Sequence, residues 1–162
     1  MQDDKPRYAP AVDLRTRTSL LCGALAVLIA ASILLRGRKG RAQIFFALFF
    51  IAIAGFYLAF TAYFENPEAW RLEIGAVGVF TVFGILGLRF PVALIIGYSL
   101  HGIWDVVHEI HAFAGVSPFG AEKMTELPLA YGVFCAAFDW CVAVYFCTRR
   151  RDWNRAWNAG AR

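Results

Sequence analysis

Five long apolar runs, separated by short polar stretches, dominate the pattern of the chain. The first, residues 19–35 (SLLCGALAVLIAASILL), carries no charge over 17 residues, close to the shortest helix that crosses a hydrocarbon core at about 1.5 Å per residue. It is followed by RGRKGR rather than by a small-residue cleavage site, so it reads as an uncleaved span and not as a signal peptide. Residues 42–64 make a second span, with Tyr57, Tyr63 and Phe64 toward one end in the manner of interfacial aromatics. Residues 70–88 make a third, in which Gly75, Gly78, Gly84 and Gly87 predict close approach to neighbouring backbones. After an LRFP turn the fourth runs over 91–112, with Pro91 in its first turn, where the missing N–H costs nothing. Gly115, Ser117-Pro118 and Gly120 mark a loop at 113–126, and a fifth span covers 127–147 before Arg149, Arg150 and Arg151. The expectation is an all-α polytopic membrane protein, a single domain over 1–162 built as a bundle of five transmembrane helices with a tail at 148–162.

Composition narrows the possibilities further. Of 162 residues, 59% are hydrophobic and 17% charged, against roughly 45–50% and 25% in soluble domains. That excess excludes a disordered chain, a coiled coil and an ordinary soluble core. The net charge is +4, but the basic residues sit between the apolar runs, so the expected partner is the lipid bilayer and not nucleic acid. Five spans place the termini on opposite faces. One face, made of the loop from Arg36 to Arg41, Arg89 and the tail, holds ten basic residues opposed by Asp152 alone, and the other holds six against eight acidic residues. The positive-inside rule then predicts a multi-pass inner-membrane protein with a cytoplasmic C-terminus and an external N-terminus. Trp153 and Trp157, one turn apart among arginines, match a short interfacial helix on anionic lipid, with a solvated tail as the plainer alternative. Cys22, Cys135, Cys141 and Cys147 all fall inside apolar runs with no CxxC pair, which argues against a disulfide framework and a zinc knuckle.

Polar chemistry is concentrated in the fourth span, GYSLHGIWDVVHEIHAF, which holds all three histidines. At about 100° per residue, Tyr98, His101, Asp105 and His108 fall within roughly 80° of arc and form one stripe, with Trp104 and His111 on one flank and Glu109 on the other. In the fifth span Tyr131, Cys135 and Asp139 follow at i, i+4 and i+8 on a single face. Antiparallel packing of consecutive spans sets Asp139 beside His101, Cys135 beside Asp105, and Tyr131 beside His108 or Glu109. An aspartate at the centre of a membrane helix costs roughly 2.5–3.5 kcal/mol. Asp105 and Asp139 are therefore expected to face each other's partners across the interface.

Three chemistries suit such a cluster. Two carboxylates and neutral imidazoles fit a divalent metal, zinc or iron, with His101, Asp105, Asp139 and His108 as candidate ligands. His101 and His108 are about 10 Å apart along the helix, so both reach one ion only with strain. A metal-activated water there would make the protein a membrane hydrolase acting on a lipid-like substrate, with Asp105 or Asp139 as ligand or general base. Alternatively His101 with Asp139 and Asp105 with His108 pass protons or hold a small polar ligand, lined by Tyr98, Trp104, Tyr131 and Cys135, as in a transporter subunit. Five short helices enclose too little for a path, so that reading implies a homo-oligomer. In the third, the same pairs only fix how two helices dock. The HExH at His108, Glu109 and His111 is one residue short of the zincin motif and does not imply its geometry.

The pair HGIWDVVHE and FCAAFDW resembles a group of small, uncharacterised bacterial integral membrane proteins with an HxxWDxxH helix followed by an FCxxxD helix. The likeness covers residues 97–147. It implies that His101, Trp104, Asp105, His108, Cys135 and Asp139 form one unit, and it implies no activity.

Overall fold

The computed structural model describes residues 25, 28, 29, 32, 39–64, 67–114 and 126–160. Among these, every regular element is a helix: α1 (Lys39–Phe64), α2 (Pro67–Gly87), α3 (Pro91–Phe113), α4 (Glu126–Thr148) and α5 (Arg150–Gly160). The four long helices correspond to the second to fifth apolar runs, with ends displaced by three residues or fewer. Helix α2 starts at Pro67 rather than at the apolar boundary because proline suits a first turn and Glu68 lies at its positive end. Of the first run, Leu25, Leu28, Ile29 and Ser32 are helical and Leu28 joins the core; its remaining residues, the N-terminal tail and most of the 113–126 loop lie outside the described residues.

Local chemistry explains the corners. Phe90 is extended (φ −113°, ψ 107°), as a residue before proline should be, and Pro91 opens α3. The link from α2 is held by Phe90 N–H donating to Leu86 O at 2.9 Å. At the other end of the chain, α4 turns into α5 at Arg149, whose carbonyl accepts from the N–H groups of Asp152 and Trp153. Trp153 is buried against Phe146 and Tyr145, with ring centroids 4.9 and 6.2 Å away. It therefore packs inward against α4; the side chain of Trp157 lies outside the described part.

Helices α3 and α4 share the most extensive contact and α1 lies against α2. The core between them is built largely of rings: Phe46 meets Phe146 edge-to-face at 5.5 Å, and Phe50 lies 4.6 Å from Tyr98 and 5.9 Å from Phe80. In α2, close approach requires glycine at two positions. A Cβ on Gly84 would collide with Ile51, and one on Gly87 with Leu94. Gly75 and Gly78 face open space instead, so only half of the glycines expected to bring helices together in this segment do so.

Two helices, Gly40–Tyr63 and Pro67–Gly87, are long and apolar enough to cross a membrane. Helix α3 is as long, but its histidines and acids interrupt the apolar run, and the uninterrupted apolar part of α4 is Gly132–Thr148.

Candidate metal centre

The i, i+4 spacing of His101 and Asp105 puts both on the face of α3 that meets α4 and α1. His101 Nδ1 lies 2.6 Å from Asp139 Oδ2 of α4 and 3.2 Å from Asp105 Oδ2. All three side chains are fully buried. One ligand atom from each lies within 4.8 Å of the others, so the group can hold a metal ion. Ligands sharing a tetrahedral ion at about 2.0–2.1 Å stand about 3.3 Å apart. The Asp105 contact already has that length, and the Asp139 contact has that of a charge-assisted hydrogen bond.

The antiparallel register expected from sequence is the one found. His101 meets Asp139, a Cβ on Gly102 would strike Trp140, and a Cβ on Gly132 would lie 3.5 Å from Asp105 O and 3.2 Å from Glu109 Oε2. The next contributor came from elsewhere. The hydroxyl of Tyr57, on α1, donates to Asp105 Oδ1 at 2.5 Å and fixes the orientation of that carboxylate. Tyr57 is buried, not interfacial.

His108 does not join this group. Its Nε2 lies 3.1 Å from Glu73 Oε1, on α2, and its ring stacks on Tyr57 with centroids 4.7 Å apart. Glu73 is fully buried. The polar interior thus holds two units side by side: His101 with two aspartates, and His108 with one glutamate.

The remaining candidates take other places. Tyr98 is buried, but its hydroxyl donates to Phe46 O at 2.7 Å, which leaves no donor for a ligand. Trp104 packs on His108 and Phe80, with ring centroids 5.1 and 6.5 Å away. Cys135 is buried in α4, His111 is exposed, and the side chain of Tyr131 lies outside the described part. The rings of Phe50, Tyr57 and Phe80 stand 4.8–5.9 Å from the His101 ring. His101 Nε2 has no hydrogen-bond partner among the described residues.

Residues 14–152 match a family of unknown function, DUF6010. The chain belongs to the DUF6010 family. The match takes in all four long helices of this DUF6010 chain and every residue of both polar units. No curated protein and no solved structure matches the chain.

Tyr57 and Glu73 left a trace in the sequence. Buried positions of α1 include Ala42, Phe46, Phe50, Ala54, Tyr57 and Thr61, three or four residues apart, and those of α2 are Ala69, Glu73, Phe80, Gly84 and Gly87, three, four or seven apart. Small or polar residues on one stripe of an otherwise bulky helix mark the face that meets other helices. Tyr57 and Glu73 lie on those stripes.

Proposed function

We propose that the chain is a five-span membrane protein with a cytoplasmic C-terminus, whose helices α3 and α4 bind a divalent metal ion, zinc or iron, through His101, Asp105 and Asp139. The observation that carries this is that two buried carboxylates converge on the same ring nitrogen, Nδ1 of His101. In an interior without water the charges must balance. A protonated imidazole between two carboxylates leaves one negative charge uncompensated, whereas a divalent ion with neutral imidazole leaves none. Glu73 and His108 face each other as a separate pair. A proton relay is less well supported, because it needs one polar partner at each ring nitrogen and the described neighbours of Nε2 offer none. Simple docking is less well supported too, since two like charges on one atom are poor glue unless a cation lies between them.

Three protein ligands leave a coordination position for water, and zinc-bound water ionises near neutrality. That arrangement suits a hydrolase working inside the bilayer. Tyr57, holding the second oxygen of Asp105, would keep that carboxylate aimed at the metal. The test is metal content after equilibrium dialysis of the purified protein. About one zinc or iron per chain is expected in wild type, and a small fraction of that in His101→Ala and Asp139→Asn. Wild type that retains no more metal than either variant overturns the proposal.

A further inference from the structure

Between α2 and α3, on the outer side of the bundle, runs an open groove of about 560 Å³ whose walls include Arg71, Gly75, Ala76, Val79, Phe80 and Trp104. From Arg71 to Val79 it extends about 12 Å along the helix, close to the depth of one leaflet of a core about 30 Å thick. Apart from Arg71 its walls are apolar. Arg71 is exposed near the start of α2 and has no ion-pair or hydrogen-bond partner among the described residues. Nearly two turns deeper, about 9 Å along the helix, the indole of Trp104 forms part of the wall, with its Nε1 buried. The groove is open over Gly75, which has no side chain and nothing within 4 Å of where its Cβ would be.

We infer that this groove seats one acyl chain of an anionic phospholipid, with its phosphate on Arg71. The inference rests on the membrane placement proposed above. The order of the groups matches the molecule: a phospholipid carries its charge at the surface and its hydrocarbon beneath, as the groove has Arg71 at its outer end and apolar walls below. Arginine is the side chain best suited to phosphate, which it meets with two parallel N–H donors. An uncharged groove would accept any lipid; the free guanidinium at its outer end selects a negative headgroup.

The groove also lies beside the proposed metal centre. Phe80 and Trp104 form part of its wall, and the same two rings stand 4.8 Å from His101 and 5.1 Å from His108. A lipid seated there is separated from His101 by the ring of Phe80. The class of molecule delivered to the centre is therefore a membrane phospholipid, arriving sideways from the bilayer.

The test uses full-length protein in neutral detergent, titrated with phosphatidylglycerol and, separately, phosphatidylcholine, with bound lipid counted by native mass spectrometry. Wild type should hold one phosphatidylglycerol at least tenfold more tightly than phosphatidylcholine. Arg71→Gln should erase that preference. Gly75→Phe, which fills the groove from a position facing open space, should weaken both lipids about tenfold while thermal stability and metal content stay at wild-type values. The inference is overturned if wild type shows no preference, or if Gly75→Phe binds as wild type does. It is also overturned if Arg150→Gln with Arg151→Gln, and not Arg71→Gln, removes the preference; those arginines line a separate concavity of about 500 Å³ at the α4–α5 corner. Metal content is read on the same samples, so loss of the metal proposal and loss of this one are separate results.

Discussion

Helices α3 and α4 pass through two chemically opposite halves of the same bundle. In one half they meet through Leu94, Tyr98, Val142 and Phe146, closed off by Phe46 and by Trp153 from α5. In the other they meet through His101, Asp105 and Asp139, with Tyr57 reaching in from α1. The first half is filled by interlocking rings that have many near-equivalent ways to pack. The second leaves little choice, since each buried charge has few acceptable neighbours and a wrong one is costly. Where lipid is as apolar as the interior, ring packing supplies contact and the polar cluster supplies uniqueness of register. Among the described residues, the group that could hold a metal ion lies in the polar half.

The sharpest way to separate the halves is to remove one key side chain from each. His101→Ala leaves two carboxylates facing each other and should cost about 3–5 kcal/mol in unfolding by denaturing detergent, the range for breaking a buried ion pair. Phe146→Ala, which empties a ring site touching Phe46 and Trp153, should cost about 3 kcal/mol, the low end for such truncations. The two differ in their response to metal. Zinc at a hundred times its dissociation constant should stabilise wild type and Phe146→Ala by about 2.7 kcal/mol and should leave His101→Ala unmoved. A zinc response that survives His101→Ala would erase the distinction between the halves.

Smaller changes refine it. Tyr57→Phe removes the hydroxyl from Asp105 without opening a cavity and should cost about 1.5–3 kcal/mol, the value of a hydrogen bond to a charged group. It should also weaken metal retention, by dialysis, without abolishing it. Gly87→Ala pushes a methyl into Leu94 in the ring-packed half and should cost about 1–3 kcal/mol, with metal content unchanged. Gly78→Ala, where a Cβ meets nothing, should stabilise the helix by about 0.5–1 kcal/mol. A destabilisation there would place a neighbour against that face.

The polar half was the more legible from sequence because its signals are rare. Three histidines and two aspartates in two consecutive apolar runs have few places to go, and antiparallel pairing alone sets residue 101 against 139. Helix ends were legible to within three residues for a similar reason, since proline and charge interrupt an otherwise apolar chain. What stayed hidden belongs to helices apolar on every side. In α1 and α2 bulky residues cover both the inner and the outer faces, so the usual contrast between a wet and a dry side is missing. Tyr57 near a helix end has the look of an interfacial aromatic, and Glu73 sits in the third apolar run with nothing beside it to mark a partner, although both are buried. His108 was drawn toward the aspartates by its place on the α3 stripe, but α2 presents a carboxylate to it first. Trp153 followed the same pattern, since arginines on either side suggested a membrane surface while the ring turned inward onto Phe146.

The most direct test is X-ray absorption at the zinc edge of zinc-loaded protein. Sharing of one ion by His101, Asp105 and Asp139 predicts a low-coordinate shell at about 2.0–2.2 Å with the outer scattering of a single imidazole. That imidazole signal should disappear in His101→Ala and persist in a variant of the neighbouring histidine, His108→Gln. A spectrum unchanged by His101→Ala, or one whose imidazole is lost in His108→Gln, would contradict the account.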